Sequence, residues 1–284
     1  MPTLRDIKRR IRSVENTQQI TKAMEMVAAA KLRKAQARVE AARPYGLKMQ
    51  QMLESLASAA AGLEHPLFEQ REVKKKLLVF VTSDRGFTGS YSSNIIRTAS
   101  AYINESPPDA VQLGIIGKKA YTYFKRRPHP IAFAVTDYNA RIDLARIREL
   151  VTDIIDLFSS GEVDEVRLLY TRFVSTVSYR ITLERFLPIE KPETEEGAVT
   201  DYIFEPDADN IFSDLIPRYC VTKVLQMLLE AFASEHGSQM IAMGNATKNA
   251  GEMIETLTLQ RNKARQAAIT KELLDIVGGV EALK

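Results

Sequence analysis

The sequence predicts an α/β chain: two long helices that can pair antiparallel as a coiled coil, flanking a doubly wound domain with a mostly parallel sheet. Three observations carry this. The first is that residues between Pro2 and Pro44 contain no glycine or proline, and those between Pro217 and Gly278 contain no proline and only three glycines. The second is a three-four apolar spacing in both stretches, and the third is an alternation of short apolar runs with helical segments between them. The implied organisation is an N-terminal coiled-coil helix over 1–60, a globular domain over 61–208 and a C-terminal coiled-coil helix over 209–284.

Ordinary globular helices run three or four turns. A helix over residues 4–58 would be about 80 Å long, and one over 218–277 about 90 Å, at ~1.5 Å per residue. Rods of that length must pack on each other or on something else. In the first rod, steps of three and four from Leu4 through Ile7, Ile11 and onward to Ala42 meet nine apolar residues in twelve. The seam is interrupted at Gln18, Thr21 and Glu25, while Ile20, Met24 and Val27 hold a neighbouring apolar face. Side chains that leave the seam face another surface, so residues 18–27 are expected to meet a partner.

A second seam runs from Leu225 through Met243, Met253, Leu257 and Gln260 to Leu274, apolar at eleven of fifteen positions. Gly237, Gly244 and Gly251 fall seven apart beside it. Each mid-helix glycine costs about 1 kcal/mol relative to alanine, so three in line are expected where the first helix crowds closely. The two rods can pair with each other or each with a separate chain.

The globular middle opens with strand Lys76–Thr82, then loop Ser83–Ser90 and a helix over Ser92–Asn104. Strand Val111–Ile116, helix Lys118–Phe124, strand Ile131–Thr136, helix Asp143–Ser159 and strand Val166–Thr171 follow. Val177, Tyr179, Ile181 and Leu183 alternate with polar residues, the mark of a half-exposed antiparallel strand. Such an order is Rossmann-like. The acidic stretch Glu190–Gly197 reads as a surface loop, and Tyr202-Ile203-Phe204 as a short apolar piece before the last helix.

The formal charge is +3, unevenly spread. Residues 1–43 hold eleven Lys/Arg against four Asp/Glu, whereas residues 44–217 hold twenty against twenty-five. An acidic partner, nucleic acid or an anionic membrane would each answer to a basic first rod, and so would a solvated helix face. No apolar run approaches the ~20 residues of a membrane span, and the N-terminus has no secretory apolar stretch. Cys220 is the sole cysteine, so neither an intramolecular disulfide nor a multi-cysteine metal site can form. The chain reads as intracellular.

Tests for chemistry are negative. There is no GxGxxG and no GxxxxGK[ST], and Gly117-Lys118-Lys119 lacks the upstream loop of a phosphate cradle. His65, His129 and His236 are scattered, and Asp84-Arg85 is expected to be a structural ion pair. No catalytic, cofactor or metal residues are assigned.

Ile20-Thr21-Lys22-Ala23-Met24-Glu25-Met26-Val27-Ala28-Ala29, Ser83-Asp84-Arg85-Gly86 and Asn262-Lys263-Ala264-Arg265-Gln266-Ala267-Ala268-Ile269-Thr270-Lys271-Glu272-Leu273 closely resemble the gamma subunit of F-type, rotary ATP synthases of bacterial type. They run in order over essentially the whole chain. The resemblance implies a central rotor shaft, whose terminal helices enter a ring of alternating alpha and beta subunits. The middle would lie at the foot, beside the epsilon subunit and the membrane-embedded c ring. It implies that Lys22 and Met24 face an acidic lever segment of beta, that Arg265, Gln266 and Thr270 meet a beta catch loop, and that Tyr202 lies near the c ring. ATP, ADP and Mg2+ would sit on alpha and beta, with no cofactor on this chain. The expected location is the cytoplasmic face of the bacterial plasma membrane, held peripherally through the complex.

The sequence departs from the family pattern at Phe87-Thr88-Gly89-Ser90, where many relatives have a leucine-cysteine-glycine run, and it lacks the two-cysteine insert of chloroplast relatives. Two other readings compete with the shaft. A coiled-coil adaptor with a nucleic-acid-binding helix would show steep salt-dependent DNA binding, but the aromatic interleaving of a single-strand binder is missing. A Rossmann-type enzyme with helical extensions would bind a nucleotide saturably.

Overall fold

The computed structural model describes residues 3–59, 65–107, 109–138, 143–176, 178–190 and 208–281. Its elements are α1 (Leu4–Ala59), a 3₁₀ turn (Pro66–Phe68), β1 (Lys76–Val81), α2 (Tyr91–Asn104), β2 (Val111–Ile116), α3 (Lys118–Phe124), β3 (Ile131–Val135), α4 (Leu144–Ser159), β4 (Glu165–Phe173), β5 (Tyr179–Leu187) and α5 (Ala208–Glu281). Contacts divide the chain into a helical unit, Met1–Ala29 with Gln239–Lys284, and an α/β unit, Ala30–Ser238.

In the α/β unit the strand order is β3-β2-β1-β4-β5. The first four strands are parallel, and β5 is antiparallel to β4. The two-residue period of β1 divides its side chains between two cores. Leu78 and Phe80 pack with Ile95 of α2 and Phe124 of α3. Leu77, Val79 and Val81 pack on the other face with Ile154 and Phe158 of α4 and with Ile216, Cys220 and Val224 of α5. Burial raises the Cys220 thiol to about 12, so it is inert as a nucleophile.

Two elements differ most in extent from the sequence reading. The C-terminal helix was expected over 209–284 with its unbroken rod at 218–277; α5 begins at Ala208 and runs unbroken through Pro217. A proline inside a helix costs ~3 kcal/mol. Burial of Phe212, Leu215, Ile216 and Cys220, on both sides of it, offsets that loss. Strand β4 is longer than expected because both ends find partners: Phe173 pairs with Tyr179, and Glu165 with Lys76. Val177 lies outside the described residues.

One polar cluster locks α1 to α5 within this unit. Glu230, a largely buried carboxylate, accepts the backbone N–H of Phe173 at 2.8 Å and the Arg43 guanidinium at 3.1 Å. Arg43 also donates to the Phe173 carbonyl. The seam of α1 holds here too, with Leu32 and Val39 buried, and beyond the stretch read as seam Met49 and Leu53 are buried as well.

Glu235, on the next turn, is partly buried, and burial raises its carboxyl to about 7; Asp84 adds to the rise and Lys31 opposes it. A carboxyl raised above the ordinary 4.5 supports folding fully below that pH, and the support is lost as pH climbs through about 7. Glu235→Gln is therefore expected to stabilise the chain by about 2 kcal/mol above pH 7 and to have little effect at pH 4. Urea midpoints of both proteins across pH 4–8 check this; parallel curves would refute it.

Candidate partner-binding face of the helical unit

The helical unit is an antiparallel pair. The Thr21 and Thr247 hydroxyls meet at 2.9 Å, and a methyl added at Gly251 would lie 3.1 Å from Gln18 Nε2. One added at Gly244 would lie 3.6 Å from the Glu25 carboxylate. Rising numbers in α1 thus meet falling numbers in α5 with constant register. The polar break in the α1 seam is where polar side chains meet Thr247 and the α5 glycines. Crowding explains Gly251 alone: at Gly244, as at Gly237 in the α/β unit, an alanine methyl would sit in ordinary contact.

The α1 seam is as expected through this unit, with Ile7, Ile11 and Ala28 buried. The α5 seam is corrected. Met253 is 54% exposed and Gln260 is exposed, while Ile254 and Arg261 are half-buried. The inward stripe has moved by one residue at these turns. Ile254 and Arg261 continue the spacing set by Thr247, whereas the sequence reading carried the spacing of Ala246.

Beside the seam, Ile20, Met26 and Val27 are 60%, 59% and 55% exposed. Met24 is half-buried next to them, and Lys22 is exposed. Ile20, Met24 and Val27 fall on one face of α1, whereas Met26 lies more than a quarter-turn round from them, so the first three form the candidate contact face. The displaced stripe read from the sequence at 18–27 is therefore present as exposed apolar surface.

The constant register brings Leu4, the first residue of α1, level with residues 264–265 of α5. Helix α5 continues to Glu281. Arg265, Gln266 and Thr270 stand exposed at and beyond this point. So do Ile269, Leu273, Leu274, Ile276 and Val277, all more than half exposed. Sequence reasoning missed these five. It took Leu274 as seam, although counting outward from the Thr21 level shows that α1 ends first. The structure does not bring the two predicted contact groups together: Lys22 and Arg265 stand about 27 Å apart along the axis at 1.5 Å per residue. They are separate stations on one rod.

The loop after β1 is tied to the start of α3. Asp84 Oδ1 accepts the backbone N–H of Lys118 at 3.0 Å and of Asp137 at 3.1 Å. Lys119 N–H donates to the Ser83 carbonyl and Ala120 N–H to Thr82 Oγ1. The first amides of α3, which could cradle an anion, are thus taken by the chain itself. Asp84, expected to form a structural ion pair with Arg85, holds the Lys118 and Asp137 backbone amides, and Arg85 is exposed. The hollow between α2 and α3, about 940 Å³, is lined by Lys118, Lys119, Arg126 and Arg127 but is open to solvent. Among the described residues no three His, Cys, Asp or Glu side chains converge as a metal site, and no helix is long and apolar enough to cross a membrane. Tyr202 lies outside the described residues.

The ATP synthase family model matches residues 3–283. An ATP synthase gamma chain of Moorella thermoacetica is 48% identical over 284 residues, covering all of both chains. The chain belongs to the ATP synthase gamma-chain family. A second family member, the gamma chain of Desulforamulus reducens, is 45% identical over 285 residues, again covering both chains fully. The gamma-chain fold recurs in solved structures. A chain of the Euglena gracilis mitochondrial ATP synthase, at 18% identity, covers 99% of this chain and 94% of its own with a TM-score of 0.71. A chain of the Tetrahymena thermophila mitochondrial ATP synthase central stalk and c ring, at 26% identity, covers 80% and 99% with a TM-score of 0.63.

Proposed function

We propose that this chain is the central rotor shaft of an F-type ATP synthase. Ion flow turns a membrane-embedded c ring, the shaft turns with it, and its asymmetry drives three beta-subunit sites through different conformations in sequence. The chain is non-catalytic: ATP, ADP and Mg2+ bind the alpha and beta subunits. It also takes part in regulating ATPase activity. Residues 1–60 and 209–284 form the shaft, and 61–208 form the foot beside the epsilon subunit and the c ring, with Tyr202 facing that ring. The complex holds the chain peripherally on the cytoplasmic face of a bacterial plasma membrane.

The observation that carries this reading is the single-helix extension of α5 beyond the start of α1. Its exposed Ile269, Leu273, Ile276 and Val277 need a sleeve, which a ring of other subunits would supply. Arg265, Gln266 and Thr270, at the base of the extension, engage the catch loop of a beta subunit. Lys22 and Met24, one station down, face the acidic lever segment of beta, in keeping with the basic first rod and its exposed apolar stripe. A rotating shaft cannot hold deep pockets with its sleeve. Exposed charge pairs worth ~0–1 kcal/mol suit contacts that break and re-form each turn.

Met24→Lys adds a cation facing acidic beta residues. Assembly is expected to be near normal, with ATP synthesis per translocated ion falling several-fold while hydrolysis persists. Parallel assays of synthesis and hydrolysis in reconstituted vesicles check this. Normal coupling would remove Met24 from the lever contact.

A further inference from the structure

We infer that Glu25 is a positioning residue: its carboxylate is the resting counter-ion of Lys22 and sets how strongly that ammonium engages an acidic partner. The inference rests on the proposal that Lys22 meets such a surface. Glu25 stands in the coiled-coil seam, where the three-four spacing otherwise places an apolar side chain. Two neighbouring polar seam residues are accounted for across the helix pair, since Thr21 meets the Thr247 hydroxyl and Gln18 lies against Gly251. Glu25 differs. Its carboxylate lies beside Gly244 on the α5 side, and its charge turns back along its own helix, where Oε2 accepts from Lys22 Nζ at 3.2 Å.

Exposure fits a shared cation. The Lys22 side chain is 55% exposed and the Glu25 side chain 27%. The glutamate stem is already restricted by the seam, so holding its carboxylate in place sacrifices little further freedom. Lys22, one turn away on the same face, can leave and return. A lysine with no counter-ion would cling to the partner's carboxylate through each dwell. One shared with Glu25 releases more readily, because the lost contact is replaced at once. Both groups reach solvent, so salt screens the competition.

The test is a double-mutant cycle in the complete alpha-beta-shaft complex, reading ATP hydrolysis turnover at low and high ionic strength. Glu25→Gln is expected to slow turnover about two- to threefold at low ionic strength, in line with a partly exposed pair. The loss should disappear at high ionic strength, and in the Lys22→Gln background. Glu25→Asp keeps the charge but falls short of Nζ, so it should behave as Glu25→Gln does and carries the test if the glutamine variant assembles poorly. Equal slowing in both Lys22 backgrounds, or no slowing, would overturn the role of Glu25. Lys22→Gln indistinguishable from wild type in turnover, coupling and salt response would instead overturn the lever contact beneath it.

Discussion

Proline in place of Ala28 is expected to abolish coupled ATP synthesis and to destabilise α1 by ~3 kcal/mol or more. Ala28 is 1% exposed in the seam of the helical unit. Proline would remove its amide hydrogen and drive its ring toward the carbonyl of Met24, one turn back, so the break would fall beside the proposed lever contact. It would also force extra atoms into a closed position, and overpacking adds further strain. Thermal unfolding followed by helix content gives the stability change, and acid-driven synthesis in vesicles gives the coupling. Unchanged synthesis would contradict a torque-bearing first helix.

Gly117→Ala is expected to destabilise the α/β unit by more than about 4 kcal/mol, among the largest effects a single methyl can have. Gly117 has φ +109°, which side-chain-bearing residues rarely adopt, and the added methyl would lie 2.1 Å from the Thr82 carbonyl oxygen. That contact is with backbone, so no side chain can move aside. Relief would have to pull apart the ends of β1 and β2, where Thr82 N–H donates to the Ile116 carbonyl and Asp84 holds the Lys118 amide. The urea midpoint of the full chain is the measurement. A midpoint within error of wild type would show that the loop adapts freely.

Much of the architecture was legible because it rests on short periods. The steps from Leu4 pass through Ile7, Ile11, Ala28, Leu32 and Val39, which α1 buries, and the apolar runs at 76–82 and 111–116 read as strands. Readings failed where distant contacts override local preference. Pro217 reads as a boundary until the burial of Phe212 and Ile216 outweighs the missing amide. Met253 and Gln260 read as seam because spacing alone does not say where the inward stripe moves by one residue, and only the partner helix decides that.

The candidate site was legible in part. Ile20, Met24 and Val27 could be seen leaving the seam, since apolar residues out of phase must find another surface. Lys22, Arg265, Gln266 and Thr270 came from resemblance. The length by which α5 outruns α1 was not visible, because register is a property of the pair. Nor was Asp84's hold on the α3 amides, since Lys118 is 34 residues away.

The most direct measurement is reconstitution of the purified chain with alpha and beta subunits, following complex formation and ATP hydrolysis. A shaft predicts a stable complex that hydrolyses ATP far faster than alpha and beta alone, and loss of that gain when α5 is cut back to residue 264. Failure of the folded chain to assemble with competent partners, or full activity without residues 265–284, would contradict it.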